Sequence, residues 1–410
     1  MSIYTDAQEI IHSALEACLP DQAVRRALEG KEFGSGRVFL VALGKAAWQM
    51  ARCAAELLGP RLERGVVVTK HGHSQGDIPR CQIFEGGHPV PDEGSFRGTR
   101  AAMELVQDLT PQDTVVLLVS GGGSALFESP LIPAEELAQL TSALLACGAD
   151  IVEMNTIRKR LSAVKGGRFA QLCAPAQVYS IVLSDILGDP LDMIASGPAY
   201  PDRSTCAQAR AIAEKYQLPL SDQARALLDQ ETPKELDNVE TVITGSVREL
   251  CSAAAAVCQR LGYETHILTD QLCCQAREAG SFLASIARTH GQDGRSLAFL
   301  AGGETVVLLT GKGLGGRNQE LALSAAEGIS GMDNALIFSL GSDGTDGPTD
   351  AAGGIVDGQT QGKLAQAGLT IHQVLADNDA YHALEKVDGL IRTGPTGTNV
   401  NDVAVVLLKN

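Results

Sequence analysis

Short apolar runs recur along the chain of 410 residues, and several of them end in a turn that contains glycine. Two examples are Arg37–Leu43, which is apolar after its first residue and is followed by Gly44, and Asp113–Val119, which is followed by Ser120–Ser124. Runs that are apolar along their whole length are typical of parallel strands covered on both faces. Stretches with helical periodicity lie between them. Strands that alternate with helices predict a doubly wound α/β fold, in which ligands bind beyond the carboxyl ends of the strands.

The length of the chain favours two domains, because 410 residues exceed what a single hydrophobic core usually fills. The segment Pro233–Asn238 has the composition of a linker, and the alternation of strands and helices restarts after it. We therefore expect an N-terminal domain at residues 1–235 and a C-terminal α/β domain at residues 236–410.

Composition excludes several classes of function. The net charge of −16 argues against nucleic acid as a partner, because phosphate backbones require a basic face. No apolar run is long enough to cross a membrane, and the first residues show no basic region followed by an apolar core. The scattered cysteines form no C-x-x-C pair, which favours reduced thiols. These features together predict a cytoplasmic protein.

The densest glycine-rich stretch is Thr310–Glu320, which follows the apolar run Glu304–Thr310. We expect that run to be a buried strand, and a helix to begin near Arg317. A bare backbone and a helix N-terminus can both approach an anion, and Lys312 and Arg317 add positive charge there. The stretch therefore predicts a loop that handles phosphate. The alternative is a tight turn between strand and helix with an arginine on the surface.

The spacing of Gly311, Gly313 and Gly316 also fits the dinucleotide-binding fingerprint, and Asp343 lies near the end of the next predicted strand. A nicotinamide-dependent oxidoreductase is therefore a competing interpretation.

Other cations and glycines form further candidates for an anion site. Gly44 and Lys45 stand where a helix begins after the first strand, and the turn Ser120–Ser124 offers bare amides. The densest basic cluster is Arg158, Lys159, Arg160, Lys165 and Arg168. The alternatives are a lysine on a surface helix, a flexible turn and a solvated basic face.

Carboxylates past strand ends are candidates for Mg²⁺, which prefers one or two carboxylates together with water and phosphates. Asp185 and Asp189 follow the strand predicted at Val178–Leu183. Asp343 and Asp346 lie in a glycine-rich acidic loop and are the second candidates. The alternatives are an Asx turn with a helix cap, and a solvated acidic loop.

Taken together, these stretches closely resemble the class II glycerate 2-kinases, with their characteristic C-terminal domain. The segments that carry the resemblance follow one another along nearly the whole chain: Gly86–Asp92, Val119–Ala125, Asn155–Lys159, Lys165–Arg168, Ser184–Asp189, Ala195–Pro198, Gly302–Thr305, Gly315–Glu320, Asp343–Gly353 and Gly394–Asp402. The departures are small: Leu314 and Ser342 differ from the commoner family residues.

The resemblance implies ATP- and Mg²⁺-dependent phosphorylation of D-glycerate at O2, which gives 2-phosphoglycerate. It also implies a Rossmann-like N-terminal domain, a smaller α/β domain and an active site in the cleft between them. The catalytic lysine and arginine of the family correspond to Lys45 and Arg317. A homodimer is a further expectation.

Other residues in these loops are expected to bind substrate or nucleotide, or to hold the metal. The predicted binding residues are Gly44, Ser120, Gly121, Gly122, Gly123, Ser124, Asn155, Arg158, Lys165, Glu304, Gly315, Gly316, Asn318, Thr398 and Asn399. The predicted metal ligands are Asp185, Asp189, Asp343 and Asp346.

Three functions compete for this sequence. A kinase explains several glycine-rich loops, isolated cations beside them and carboxylates at strand ends, since phosphoryl transfer depends on positioning, cations and a metal. An NAD(P)H-dependent hydroxypyruvate reductase, a label that some relatives long carried, needs one fingerprint and leaves the other loops unexplained. A glycerate-binding protein needs no carboxylate pairs.

Overall fold

The structure is a computed structural model that describes residues 2–410. The chain divides into two compact units. We call the first the parallel-sheet unit, which comprises Ala23–Leu183 and Asp189–Thr244. The second, the mixed-sheet unit, comprises the chain up to Gln22, Ser184–Gly188 and Gly245–Asn410.

The helices and strands alternate through most of the chain. The helices are α1 Ile3–Ala17, α2 Pro20–Leu28, α3 Ala47–Leu58, α4 Glu93–Leu105, α5 Gly123–Leu126, α6 Ala134–Ala146, α7 Ile151–Arg160, α8 Arg168–Cys173, α9 Cys206–Lys215, α10 Asp222–Leu228, α11 Val247–Arg260, α12 Ala276–His290, α13 Arg317–Gly328, α14 Thr360–Gln366, α15 Ile371–Ala376 and α16 Ala380–Glu385. The strands are β1 Val38–Leu43, β2 Leu62–Lys70, β3 Cys81–Gly86, β4 Thr114–Val119, β5 Gln177–Leu183, β6 Val239–Gly245, β7 Glu264–Leu272, β8 Leu297–Gly303, β9 Ala335–Gly341, β10 Gly353–Asp357, β11 Leu390–Ile391 and β12 Asp402–Leu408.

The parallel-sheet unit is built on a six-stranded sheet with the order β3-β2-β1-β4-β5-β6. Strand β1 pairs in parallel with both β2 and β4, and every residue of β1 and β4 is buried. This order is typical of Rossmann-like sheets, so the predicted doubly wound fold is confirmed. The order reverses direction between β1 and β4, and ligands of such sheets bind at that point, beyond the carboxyl ends of the strands.

Helix α7 presents polar side chains from this unit. It begins with a capping box, in which Asp150 accepts from the Glu153 amide while the Glu153 side chain accepts from the Asp150 amide. Asn155 and Arg158 are three residues apart and therefore lie on the same face of the helix. This spacing lets both side chains contribute to one site.

The mixed-sheet unit is built on a six-stranded sheet with the order β11-β10-β9-β12-β8-β7. Strand β12 runs antiparallel between β8 and β9, with Asp402 opposite Gly303 on one side and Gly341 on the other. The beginning of β12 therefore lies beside the carboxyl ends of its two neighbours. Side chains that follow β8 and β9 collect around Asp402.

The expected buried strand at Glu304–Thr310 is wrong. The two neighbours of β8 both end opposite Gly303, β12 at Asp402 and β7 at Leu272, so the chain after Gly303 has no adjacent strand to pair with. It leaves the sheet after one isolated bridge, between Val306 and Gln275, and Leu309 is 79% exposed. An apolar, β-branched run resembles a strand in sequence whether or not a sheet edge is free to pair with it.

The chain divides between the units differently from the predicted ranges 1–235 and 236–410. Strand β6, expected to open the second domain, joins the parallel sheet beside β5. Helix α1 belongs to the mixed-sheet unit, where Asp6 is buried and accepts from the Tyr263 hydroxyl at 2.6 Å. Linker composition marks a flexible stretch but does not show which sheet a following strand joins.

No helix within residues 2–410 has the length and the apolar character needed to cross a bilayer.

Candidate active site

The turns after β1 and β4 hold each other in place. Gly44 has a φ of 113°, and a Cβ there would lie 2.3 Å from the Ser120 Oγ, so only glycine fits. The Lys45 amide donates to the Gly121 carbonyl oxygen at 2.8 Å, and the Ala46 amide donates to Ser120 Oγ at 3.1 Å. Ser120 is therefore buried and positions the turn rather than facing a ligand.

The Lys45 ammonium group is available to a ligand, since no hydrogen bond or ion pair joins it to any residue of the range 2–410. The successive backbone amides of Gly121–Ser124 likewise donate to no described residue. Free amides beside an unpaired ammonium group make a site for an anion. The predicted residues Gly44, Lys45 and Gly121–Ser124 are thus brought together.

Two serines and an asparagine form a hydrogen-bonded chain next to this turn. The Ser124 and Ser196 hydroxyl oxygens are 2.9 Å apart, and Ser196 donates to Asn155 Oδ1 at 2.8 Å. Ala195, Ser196 and Gly197 have φ values of 51°, 60° and 65°. Left-handed conformations in non-glycine residues cost energy and cluster at functional sites.

Ser196 was not predicted as a site residue. The segment Ala195–Pro198 supported the family resemblance, but nothing in its composition indicates a strained turn that points at Ser124 and Asn155. Only the folded chain brings them together.

The basic cluster separates into a site half and a structural half. Arg158 and Lys165 approach the glycine-rich turn, where both donate to the Ser124 carbonyl oxygen, at 2.9 and 2.8 Å. Lys159 and Arg160 are buried and pair with Asp202 instead. The latter pair stabilises the unit and has no access to the turn.

Arg158 and Lys165 carry more positive charge than their surroundings neutralise. Glu128 lies 3.2 Å from Lys165 and is the one carboxylate that the structure pairs with it. Burial lowers the pKa of Lys165 to about 8, and burial also lowers the pKa of Arg158, whose Nε is buried without a hydrogen-bond partner. Two cations beside a single buried carboxylate favour an additional anion at this place.

Arg317 of the mixed-sheet unit is held by a carboxylate that was not predicted as a site residue. Its Nε and Nη2 donate to the two oxygens of Asp402, at 2.5 and 2.9 Å. Its Nη1 lies 3.7 Å from Glu304 Oε1. Burial acts against the charged form of Arg317, but Asp402 overrides it and raises the pKa of the guanidinium above its ordinary value.

Asp346 occupies the N-terminus of α13. Its two oxygens accept from the amides of Asn318 and Gln319, at 3.1 and 2.9 Å, and a Cβ on Gly316 would lie 2.2 Å from its carboxyl carbon. Burial raises the pKa of Asp346 to about 6, and the charge of Asp402 adds to this. The helix end predicted to receive a ligand anion therefore already holds an anion of the protein itself.

Asn318 lies behind Asp346. It is buried, its Nδ2 donates to Asp346 at 3.3 Å, and its Oδ1 accepts from the Ser339 hydroxyl at 2.6 Å. The structure therefore gives Asn318 a positioning role.

The loop predicted to handle phosphate is largely engaged with another part of the chain. The amides of Thr310 and Gly311 donate to Asn378 Oδ1, at 2.7 and 2.9 Å, and those of Lys312 and Leu314 donate to the carboxylates of Asp377 and Asp379. The glycines of the loop allow this close packing against residues 377–379, since a Cβ on Gly311 would lie 2.3 Å from the Asp377 Cα. These amides are unavailable to phosphate.

The amides of Gly315, Gly316 and Arg317 remain, since they donate to no residue of the described chain. Gly315 and Gly316 thus stay candidates, whereas the first half of the loop does not. The dinucleotide fingerprint also fails, because it requires a strand that leads directly into the glycine-rich turn, and residues 304–316 separate β8 from α13.

The predicted metal ligands differ in their surroundings. Asp343 and Asp402 both approach Gly341, where a built Cβ would lie 3.4 Å from Asp343 Oδ1 and 3.3 Å from Asp402 Oδ1. Asp185 belongs to the mixed-sheet unit, and its carbonyl oxygen accepts from Asn401. Asp189 belongs to the parallel-sheet unit, with a φ of 50° and a buried Oδ1 that lacks a hydrogen bond. Among residues 2–410, no three His, Cys, Asp or Glu side chains form a metal-binding group.

The two predicted residues near the C-terminus are placed differently. Thr398 is buried, and its hydroxyl donates to the Cys18 carbonyl oxygen at 2.8 Å. Asn399 is exposed and accepts from the Asn401 amide at 3.4 Å. Asn399 is therefore accessible, whereas Thr398 fixes the loop to the N-terminal segment.

Comparison with known proteins supports the resemblance. Residues 6–229 match the family described as a domain of unknown function (DUF4147), and residues 297–402 match the MOFRL family. The chain is 52% identical to the D-glycerate 2-kinase of Thermotoga maritima, over 98% of this chain and 97% of that protein. It is 39% identical to a putative hydroxypyruvate reductase of Agrobacterium vitis, over 91% of this chain and 87% of that protein.

A solved structure agrees in the whole fold. The crystal structure of the glycerate kinase from Thermotoga maritima matches this chain with a TM-score of 0.95 and 51% sequence identity, over 99% of each chain. The matched domains, the full-length relatives and the fold lead to one assignment. The chain belongs to the class II glycerate 2-kinase family.

Proposed function

We propose that the protein is a glycerate 2-kinase that transfers the γ-phosphoryl group of ATP to O2 of D-glycerate. The products are 2-phosphoglycerate and ADP. The substrate follows from the D-glycerate 2-kinase of Thermotoga maritima, at 52% identity. The structural observation that carries the proposal is the unpaired Lys45 ammonium group beside the free amides of Gly121–Ser124, at the carboxyl ends of β1 and β4.

The parallel-sheet unit supplies groups that suit D-glycerate, a small carboxylate with two hydroxyl groups. Lys45 and Arg158 attract its negative charge, and the amides of Gly121–Ser124 can donate to its oxygens. Ser196 and Asn155 provide hydroxyl and amide partners for the hydroxyl groups. Lys165 holds the turn in place from behind.

The mixed-sheet unit supplies groups that suit the phosphates of ATP. The free amides of Gly315, Gly316 and Arg317 can donate hydrogen bonds to a phosphate oxygen, in the way that bare turns hold anions. Asp402 holds the Arg317 guanidinium in one orientation. Its Nη1 lies 3.7 Å from Glu304 Oε1, beyond hydrogen-bond distance, and can donate to charge that develops on the transferred group. This division between the units is a proposal that rests on the chemistry of each set.

Mg²⁺ fits the carboxylates of the mixed-sheet unit. Kinases hold Mg²⁺ through one or two carboxylates together with substrate phosphates, so a protein group of three ligands is unnecessary. Asp343 and Asp402 would hold the ion. Burial raises the pKa of Asp402, and a cation there would stabilise its charged form. When bound, the ion would neutralise charge on the β- and γ-phosphates. Asp185 and Asp189 stay predictions from sequence.

A comparison of two assays tests the proposal. Purified protein is incubated with D-glycerate, ATP and Mg²⁺, and ADP release is measured; in parallel, hydroxypyruvate and NADH are supplied, and NADH oxidation is measured. We expect ADP release that requires D-glycerate, and no oxidation of NADH above background. Oxidation of NADH without ADP release would replace the kinase by a reductase, and inactivity in both assays would favour a binding protein.

Two finer expectations come from the sequence alone. A homodimer stays a prediction, which light scattering coupled to gel filtration tests through the molar mass. A cytoplasmic location also stays a prediction, which fractionation of source cells tests.

A further inference from the structure

A histidine that neither the motifs nor the comparisons assign lies against the lysine of the proposed site. His88 follows β3, and a Cβ built on Gly122 would lie 3.0 Å from its Cδ2 and 3.2 Å from its Nε2. The same Cβ would lie 3.2 Å from the Lys45 Cγ. Gly122 has a φ of 83°, so the absence of a side chain there lets His88, Lys45 and the glycine-rich turn meet.

The His88 imidazole is free of protein partners, unlike its neighbours. Within the described residues, neither of its ring nitrogens makes a hydrogen bond. By contrast, His71 Nε2 lies 2.6 Å from Asp92 Oδ2, and His73 Nδ1 lies 3.1 Å from the Lys45 carbonyl oxygen. A partly buried imidazole without a partner, beside an unpaired ammonium group, is placed to meet a ligand.

The surroundings of His88 keep the imidazole neutral. Burial lowers the pKa of His88 below the ordinary value, and three neighbouring groups add to this effect: Lys45 after β1, Lys70 at the end of β2, and His73 in the loop that follows. The turn after β4 contributes Gly122, which carries no charge. A neutral imidazole can accept a proton at pH 7.

We propose that His88 is the base that accepts the O2 proton of D-glycerate, an inference that rests on the proposed kinase function. In D-glycerate the carboxylate is on the carbon next to O2, and O2 itself receives the phosphoryl group. Lys45 would attract the carboxylate of D-glycerate or the phosphoryl group that is transferred, and both of these groups lie next to O2. A neutral imidazole next to Lys45 therefore lies close to the hydroxyl group that reacts.

The step balances as follows. A bond forms between O2 and the γ-phosphorus, and the bond between that phosphorus and the bridging oxygen of ATP breaks. Its electron pair leaves with ADP. The proton of the O2 hydroxyl moves to the unprotonated ring nitrogen of His88, and then to solvent.

The pH dependence of kcat tests the proposal with two matched variants, His88→Gln and His71→Gln. General-base catalysis typically contributes about 10²–10⁴-fold, so we expect His88→Gln to lower kcat by that range with little change in the KM for D-glycerate. In wild type, kcat should fall as the pH decreases through the pKa of His88, and this fall should be absent in His88→Gln. A fall caused by the titration of ATP would persist in His88→Gln, and His71→Gln should keep both the rate and the fall, which controls for the loss of a neighbouring histidine.

A second variant covers the case in which glutamine disturbs the turn. His88→Ala should recover part of its kcat when imidazole is added, and the recovery should increase with pH as more imidazole becomes neutral. A merely structural histidine would not be rescued in this way. The inference is overturned if folded His88→Gln keeps kcat within about twofold of wild type with the acid-side fall intact, or if imidazole leaves a weakened His88→Ala unchanged. Wild type without D-glycerate-dependent ADP release would instead remove the proposed function.

Discussion

At the scale of single residues, the two predicted catalytic cations differ in their surroundings. The Lys45 ammonium group has no partner in the described chain, whereas Arg317 is held by both oxygens of Asp402. An unpaired cation can bind an anion without first breaking an ion pair within the protein. Lys45 is therefore ready to bind, and Arg317 is fixed in orientation.

Lys45→Ala should lower kcat/KM by roughly 10²-fold or more, the usual effect of removing one group that stabilises charge in a transition state. The melting temperature should change little, because the Lys45 side chain makes no hydrogen bond or ion pair within the described residues. Lys312→Ala is the matched control: this lysine is exposed, and its loop donates its amides to Asp377 and Asn378. Steady-state kinetics measure kcat/KM for both variants. An equal decrease in Lys45→Ala and Lys312→Ala would contradict the special role of Lys45.

Arg317→Ala should lower kcat by roughly 10³-fold or more, by analogy with arginines that stabilise phosphoryl transfer. It should also lower the melting temperature, because Asp402 is buried and loses its partner. Arg317→Lys keeps the charge but loses the planar fork that fits Asp402, so it should recover little activity. Near-normal kcat in folded Arg317→Ala would exclude Arg317 from the chemistry.

At the scale of elements, the two glycine-rich turns proved to have opposite roles. The turn after β4 has free amides, while the first half of the loop before α13 donates its amides to residues 377–379. Both turns are rich in glycine, and glycine permits close approach either by a ligand or by another part of the chain. The sequence cannot distinguish these cases, because the partner turn lies more than sixty residues away.

Hydrogen exchange tests this difference between the loops. With D-glycerate, ATP and Mg²⁺ bound, we expect slower exchange in peptides that cover Gly121–Ser124, because ligand oxygens would accept from their amides. Peptides that cover Thr310–Leu314 should exchange slowly with and without ligands, since these amides already have protein acceptors. Ligand-dependent protection of Thr310–Leu314 alone would indicate that this loop, and not the turn after β4, binds phosphate.

The first turn of α13 should make stability depend on pH through Asp346. Burial raises the pKa of Asp346 from 3.8 to about 6, so the native state binds this proton more tightly than the unfolded chain does. The resulting stabilisation is complete below pH 3.8 and is lost as the pH rises through about 6. In buffer with a chelator, the free energy of unfolding of wild type relative to Asp346→Asn should therefore decrease from pH 4 to pH 7. A difference that stays constant over this range would contradict the assignment.

At the scale of the whole molecule, the parallel sheet was predictable and the mixed sheet was only partly so. Strands β1, β4 and β5 are apolar along most of their length, and their spacing by helices indicates a parallel sheet. Strands β10 and β11 were missed, because one begins with two glycines and the other has two residues. Such short strands depend on their neighbours rather than on their own propensity.

The candidate site was predictable where a motif and a strand end coincide, as at Lys45 and Gly121–Ser124. It was not predictable where distant segments meet. Ser196 depends on a strained turn, Asp402 on the antiparallel placement of β12, and His88 on the absence of a side chain at Gly122. The segments that meet at these residues are far apart in the sequence and have no fixed spacing, so periodicity and motif spacing do not predict their contacts.

The most direct test of the central claim is the ³¹P NMR spectrum of the reaction of D-glycerate with ATP and Mg²⁺, recorded for wild type and Lys45→Ala side by side. We predict that wild type gives the resonances of 2-phosphoglycerate and ADP, and that Lys45→Ala leaves nearly all ATP intact over the same time. Formation of 3-phosphoglycerate, unchanged ATP with the wild-type protein, or equal turnover by Lys45→Ala would contradict the account.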